Sequence, residues 1–209
     1  MGRTRGFDEA TVLDAVRQQF WNYGFQATST YDLMDATGLA KGSIYHAFGN
    51  KRDLYLRVFS DYCDEMVDYA RKTLDDDGGS PVARITHYMA SVMERSCSGS
   101  PRRGCFLSKA TADLAGQDAD VAALARNTFD FIAEALATAV RAAQSAGEVD
   151  PEADARTLGY LLLAVSRGID SVAKGDVDTD VLRNTAAAAI DLLPKPRPSG
   201  SRVDRRADG

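Results

Sequence analysis

Apolar residues recur at three- and four-residue steps along most of the chain, which is the spacing of one face of an α-helix. The first such stretch runs from Asp8 to Tyr23 and ends before Gly24. The same spacing predicts helices over about 51–74, 82–96, 104–115, 119–146, 151–173 and 178–193, separated by Gly, Pro or Asp residues. No segment shows the convincing alternation of a strand, so the pattern predicts an all-α fold.

Two short helices are predicted between the first long helix and the next. A Thr/Ser cluster that is able to cap opens the first of them, which ends at Gly38. The segment Leu39-Ala-Lys-Gly42 forms the predicted turn, and Ser43 is expected to cap the second helix, from Ile44 to Phe48. Two short helices joined by a tight Gly-containing turn are typical of a helix-turn-helix, although ordinary helical bundles contain them too.

The second short helix has the two faces that DNA recognition requires. Ile44 and Phe48 share an inward face at i, i+4. The other face and the helix start are free to enter a major groove, and they offer Lys41, Gly42, Tyr45, His46 and Ala47.

The residues of this segment resemble the TetR family of bacterial transcriptional regulators. The resemblance is carried by Leu39-Ala-Lys-Gly-Ser-Ile-Tyr-His-Ala-Phe-Gly-Asn-Lys-Arg-Asp-Leu-Tyr55 and by Phe20-Trp-Asn-Tyr-Gly-Phe-Gln-Ala-Thr-Ser-Thr30. The family often has His or Tyr directly before the Phe, whereas Ala47 stands there in this chain. Beyond about residue 75 the resemblance is one of architecture only.

The resemblance implies roles for individual residues. Thr30 and Ser43 resemble phosphate contacts near helix starts, and Tyr45 and Lys51 resemble clamps on the DNA backbone. The positions that read base edges in the family are occupied by Lys41, Gly42 and His46. Lysine suits guanine O6 and N7, with less discrimination than an arginine fork.

The expected organisation has three parts: a helix-turn-helix DNA-binding domain over 1–52, a helical sensor and dimerisation domain over 53–193, and a disordered tail over 194–209. The helices at 151–173 and 178–193 carry surplus apolar residues. As the resemblance implies, two from each subunit would form a four-helix homodimer interface; the alternative is that this surplus packs within one chain.

A ligand cavity is expected among the helices of the second domain, for an unknown small-molecule effector. Its candidate lining consists of aromatic, Met and Cys residues: Phe59, Tyr62, Cys63, Met66, Tyr88, Met89, Phe106, Phe129 and Tyr160. Residues of these types at helical spacing are also typical of a simple core.

Cys105 is a candidate redox or electrophile sensor. It follows Arg102 and Arg103, whose charges could stabilise a thiolate, and some TetR-like proteins carry a sensing thiol at a similar place. The alternative is that Cys105 is a small apolar residue at a helix start.

Composition narrows the classes of function. The net charge is −5, but residues 1–52 contain six Lys and Arg against five Asp and Glu, which permits DNA contact. No apolar run approaches the roughly 18 residues of a membrane span, and three cysteines without Cys-x-x-Cys spacing fit a reducing cytoplasm.

No catalytic motif or zinc spacing is present around His46 and His87, so we expect neither an enzyme nor a cofactor or metal. The sequence predicts a DNA-binding regulator, a repressor that a small molecule releases from a palindromic operator. The alternatives are a switch at Cys105 and a helical interaction module without DNA binding.

Overall fold

The computed structural model describes residues 7–75, 79–99 and 102–196. Nine α-helices and no strand occupy these ranges: α1 (Glu9–Ala27), α2 (Thr30–Thr37), α3 (Lys41–Phe48), α4 (Lys51–Leu74), α5 (Pro81–Cys97), α6 (Phe106–Leu114), α7 (Ala119–Ser145), α8 (Ala155–Ala173) and α9 (Thr179–Asp191). The prediction of an all-α fold is confirmed.

Side-chain caps fix most helix starts. Ser29 and Asp32 form a capping box at α2, and Asn50 and Asp53 form another at α4. Each box satisfies backbone N–H groups that have no partner within the helix. These local bonds explain why the start of α4 follows from the sequence alone.

Three boundaries differ from the prediction by three residues or more, and the others by one or two. Helix α1 continues to Ala27 across a kink at Gly24, whose φ of 82° is readily adopted only by glycine. Helix α3 begins at Lys41 after Ala40, so Ser43 lies inside the helix and caps nothing, contrary to the prediction. Residues 151–153 form a turn, because Asp154 caps α8 at Ala155.

The first three helices pack on the start of α4 through side chains that are completely buried. Phe20 of α1, Leu33 of α2, Ile44 of α3 and Leu54 of α4 each have no exposed surface. Burying such a side chain contributes about 1.5–3 kcal/mol. This shared core fixes α2 and α3 as one unit against α1 and α4.

Helices α7 and α8 approach each other closely at Gly159. A Cβ atom at this position would overlap the backbone carbonyl of Ala133 and the backbone nitrogen of Ala137. A smaller apolar cluster joins α5, α8 and α9, and consists of Met93, Ile169, Ala173, Leu182 and Ala186.

An aromatic cluster joins the first helices to the rest of the molecule. Ring centroids lie 5.0 Å apart between Phe20 and Tyr55, and 5.1 Å apart between Trp21 and Tyr62, in edge-to-face pairs. Phe106 of α6 packs against Trp21, Tyr55 and Tyr62 at 5.6–5.9 Å. The rings therefore connect α1, α4 and α6 in one contiguous packing unit.

The chain beyond α9 is described only to residue 196, and residues 194–196 have no regular structure. The backbone carbonyl of Pro194 accepts a hydrogen bond from the Asp150 N–H at 2.9 Å. The expectation of a disordered tail falls mainly on 197–209, which lie outside the described residues.

Candidate functional site

The outward face of α3 carries most of the predicted recognition residues. Lys41, Gly42, Ser43 and His46 are all exposed, whereas Ile44 is buried against the core. Ala40 provides no side-chain cap at the start of α3. The first N–H groups of the helix therefore remain available to an anion such as a phosphate.

Thr30 and Tyr45 meet at the start of α2. The Thr30 Oγ1 and Tyr45 Oη lie 2.6 Å apart and share a hydrogen bond. The Lys41 Nζ lies 5.7 Å from the centroid of the Tyr45 ring. The structure thus brings together three residues that the sequence assigned to phosphate contact, backbone clamping and base reading.

Lys51 is the first residue of α4. Its Nζ stands 4.4 Å from the centroid of the Phe25 ring, in a cation–π contact. Partial burial lowers the pKa of Lys51, and the charge of Asp32 opposes that shift. The ammonium group is therefore held between α1 and α2.

A cavity of about 390 Å³ lies where α1 meets α4, α5 and α8, a size within the usual range of ligand pockets. We call it the interhelical cavity. Its walls are formed by Trp21, Tyr62, Met66, Tyr69 and Val92, and its polar lining by Arg17, Glu65, Arg95, Ser96, Ser98, Gly104, Cys105, Arg167 and Asp170.

Arg167 and Asp170 form an ion pair in this cavity. Their Nη1 and Oδ2 atoms lie 2.8 Å apart, and only 13% of the Arg167 side chain is exposed. Burial raises the pKa of Asp170, although Arg167 and the Ser96 hydroxyl favour its charged form. For Arg167, burial alone would lower the pKa, but Cys105 and Asp170 around it raise the value.

Cys105 is buried at the edge of the same cavity. The Arg167 Nη1 donates to the Cys105 Sγ at 3.1 Å, and the Tyr62 hydroxyl lies 3.5 Å from the sulfur. The sequence predicted that the charges of Arg102 and Arg103 lie beside the Cys105 sulfur, and this prediction was wrong. Arg102 instead donates to Val177 and Thr179, and Arg103 donates to Gln18.

Helices α8 and α9 leave apolar side chains uncovered. Tyr160, Leu161, Val172, Val181 and Leu192 are between 39% and 80% exposed. Tyr160 directs its hydroxyl to Asp130 at 2.6 Å. An uncovered apolar face of this kind is typical of an interface with another protein surface.

Two family models match the chain. The model of bacterial regulatory proteins of the tetR family matches residues 12–58. The model of the tetracyclin repressor-like C-terminal domain matches residues 81–189, more than half of the chain. The chain belongs to the TetR family. It is therefore a DNA-binding transcriptional regulator of a family that forms dimers and responds to small molecules, and not an enzyme.

Two curated relatives of this TetR-family chain are named as transcriptional regulators, and the similarity extends over most of the length of each. The HTH-type transcriptional repressor ComR of Escherichia coli K12 is 26% identical over 194 residues, which cover 93% of this chain and 92% of ComR. The transcriptional regulator AcuR of Cereibacter sphaeroides is 24% identical, covering 73% of this chain and 72% of AcuR.

Solved TetR-family structures share the fold. A cysteine mutant of CifR in complex with 26-base-pair operator DNA superposes with a TM-score of 0.82 at 23% identity, covering 92% of this chain and 100% of that one. The reduced form of Escherichia coli NemR gives a TM-score of 0.80 at 18% identity, covering 90% of this chain and 97% of NemR.

The candidate ligand residues are spread over the molecule. Tyr62 and Met66 line the interhelical cavity. Phe59, Cys63, Tyr88, Met89 and Phe106 are buried in the core, Phe129 is half-buried, and Tyr160 lies on the exposed face of α8. Burial raises the pKa of Cys63 to about 11 and that of Tyr88 to about 12.

The sequence did not predict the charged lining of the cavity, because charged residues are mostly solvated. Arg167 and Asp170 interrupt an otherwise apolar stretch of α8, and this interruption was the available signal. Within the described ranges, no cluster of His, Cys, Asp and Glu could hold a metal, and no helix is long and apolar enough to cross a membrane.

Proposed function

We propose that this protein is a repressor that binds a palindromic operator as a homodimer and releases it when a small molecule occupies the interhelical cavity. The observation that carries the proposal is the hydrogen-bonded pair of Thr30 and Tyr45 beside an exposed, uncapped α3. This arrangement presents N–H groups, Lys41 and His46 on one surface, as insertion into a major groove requires.

DNA binding and ligand sensing are assigned to different parts of the chain, and α4 connects the two parts. Residues 1–52 form the DNA-binding part, residues 53–193 the sensor and dimerisation part, and 194–209 a tail. The apolar faces of α8 and α9 are the surface that would pair with a second copy. The two recognition helices of the dimer then lie about 34–36 Å apart, or a multiple of that distance, in successive major grooves. The chromosome is in the cytoplasm, and the protein is expected to act there.

Control of DNA binding by a ligand is supported by the location of the cavity. Arg17 and Trp21 of α1 line it together with residues of α4, α5 and α8. A molecule bound there contacts the DNA-binding part and the sensor part simultaneously. Differential binding to two arrangements of these parts would shift the protein away from the operator.

A titration of the full-length protein with DNA from upstream of its own gene tests the proposal. Fluorescence anisotropy at two salt concentrations should show a sequence-selective complex whose affinity falls steeply with salt. Tyr45→Ala and Lys51→Ala should weaken binding to every sequence, whereas changes at Lys41 or His46 should alter the preferred sequence. If neither this DNA nor a library of palindromes is bound at low salt, the protein is an interaction module.

A second candidate function, an electrophile switch at Cys105, is favoured by the Arg167 guanidinium at its sulfur. Cysteines beside a cation are typical of reactive thiols. Addition of the thiol to an activated alkene forms a carbon–sulfur bond and transfers the thiol proton to the neighbouring carbon. Release of the operator by the alkene in wild type but not in Cys105→Ser would support the switch, and equal release from both would exclude it.

A further inference from the structure

Three guanidinium groups line the interhelical cavity, and some of their N–H donors have no acceptor there. The Arg17 Nε and the Arg167 Nη2 are buried without a hydrogen-bond partner. Arg95 stacks on the Tyr69 ring at 3.7 Å and forms no ion pair within the described part of the chain. Unpartnered buried donors are rare, because each costs about 1–3 kcal/mol.

The carboxylates of the cavity are already engaged. Glu65 accepts from the Arg17 Nη1 at 2.6 Å, and Arg17 is also bound by Asp14 from outside the cavity at 2.9 Å. Asp170 is paired with Arg167 and with the Ser96 hydroxyl. Burial also disfavours the charged form of Asp170 by raising its pKa. The Asp170 Oδ2 lies 2.8 Å from the Arg167 Nη1 but accepts no hydrogen bond. The carboxylates of the cavity thus leave the Arg17 Nε and the Arg167 Nη2 without an acceptor, and a bound molecule with an acceptor group of its own would satisfy these donors.

The aromatic and aliphatic residues of the lining indicate the shape and polarity of the rest of the bound molecule. Trp21, Tyr62 and Tyr69 provide flat aromatic surface, and Met66 and Val92 provide aliphatic surface. The volume of about 390 Å³ suits a single ring or a short chain with one polar head.

We propose that the interhelical cavity binds a small organic monoanion, with a carboxylate or similar head at Arg167 and Arg95 and an apolar body along Trp21 and Tyr62. This inference rests on the proposed function and names the chemical class of its effector. A carboxylate suits two guanidinium groups because charge-assisted hydrogen bonds are about twice as strong as neutral ones. A neutral amide of the same shape supplies a single carbonyl acceptor and no charge.

Calorimetric titration of the full-length protein with matched acids and amides tests this inference. The probes are benzoate and benzamide, phenylacetate and phenylacetamide, hexanoate and hexanamide, with inorganic phosphate as a separate arm. At least one acid should bind about tenfold or more tightly than its amide. The same acid should raise the unfolding temperature, as a ligand that binds only the folded state does.

Variants locate the effect in the cavity. Arg95→Met removes a guanidinium without breaking an ion pair, and Arg167→Gln combined with Asp170→Asn removes a buried pair together, which avoids an uncompensated charge. Each should weaken binding of the acid about tenfold or more and leave the amide unchanged. Arg126→Gln, an exposed arginine outside the cavity, is the matched control.

The inference is overturned if acid and amide bind equally, if no acid of the panel binds, if the cavity variants bind the acid as wild type does, or if only phosphate binds. Operator binding by the same preparation separates the two proposals. A protein that binds operator but no acid retains the proposed function and loses this inference. A protein that binds the acid but no operator retains the anion site and loses the proposed function.

Discussion

The indole Nε1 of Trp21 donates a hydrogen bond to the backbone carbonyl of Gly104 at 3.2 Å. Trp21 belongs to α1, and Gly104 directly precedes Cys105 in the connection between α5 and α6. The Arg103 guanidinium also lies 4.7 Å from the centroid of the Trp21 ring. The connection that carries Cys105 is thus attached to the first helix of the DNA-binding part.

Removal of this hydrogen bond should loosen the attachment. We expect Trp21→Phe to lower the free energy of unfolding by about 1 kcal/mol, because the Gly104 carbonyl loses its donor while an aromatic ring is retained. Urea denaturation followed by circular dichroism measures the change. Tyr23→Phe, on the same helix but 62% exposed, is the control and should change little. Equal stability of wild type and Trp21→Phe would contradict the role of the bond.

The hydroxyl pair of Thr30 and Tyr45 should act as one unit in DNA binding. We expect Thr30→Val and Tyr45→Phe each to weaken operator binding, and the double variant to be weaker by less than the two effects added. The coupling should be about 0.5–3 kcal/mol, the range for residues in direct contact. Anisotropy titrations of the four proteins complete the cycle, and strict additivity would show that the two hydroxyls act independently.

The stability contributed by Asp118 should depend on pH. The Arg52 Nε donates to the Asp118 Oδ2 at 2.7 Å, and this bond from Arg52 is the main reason that the pKa of Asp118 is lowered. A lowered pKa contributes stability above the unfolded value of about 3.9, and that stability is lost as the pH falls through the folded value.

Asp118→Asn is therefore expected to destabilise the protein at neutral pH, and the difference from wild type should shrink below about pH 4. Asparagine keeps the helix cap that Asp118 provides at α7, so the comparison isolates the charge. Urea titrations from neutral to acidic pH measure the difference. When Arg52 is already replaced by Gln, Asp118→Asn should change the free energy of unfolding little. If Asp118→Asn lowers the free energy of unfolding equally at every pH, with or without Arg52, the explanation is refuted.

Because α7 and α8 approach each other closely at Gly159, we expect the replacement of this glycine by alanine to be unfavourable. Gly159→Ala should destabilise the fold by roughly 1–3 kcal/mol, because the new methyl overlaps backbone atoms of Ala133 and Ala137. Helix propensity alone favours Ala over Gly by about 1 kcal/mol. Gly42→Ala, with no atom within 4 Å of the new Cβ, should be neutral or stabilising. Thermal unfolding distinguishes the two, and a stabilised Gly159→Ala would show that the helices separate freely.

The sequence alone determined the order of the helices and the presence of a helix-turn-helix in the N-terminal domain. Periodic apolar residues placed α4, α5 and α7 to within a few residues, because the spacing reflects which face is buried. The exposure of four predicted recognition residues also followed from the sequence: Lys41, Gly42, Ser43 and His46 are exposed on one short helix. These features depend on residues within one or two helical turns of each other.

The tertiary structure alone decided the chemistry of the interhelical cavity. The guanidinium at Cys105 belongs to Arg167, 62 residues away, and not to its sequence neighbours Arg102 and Arg103. The partner of Trp21 is 83 residues distant. Such contacts depend on how helices cross, and apolar periodicity does not specify which charged residue of a neighbouring helix faces inward. A charge within an apolar helix therefore indicates burial, but its partner is determined only by the packed fold.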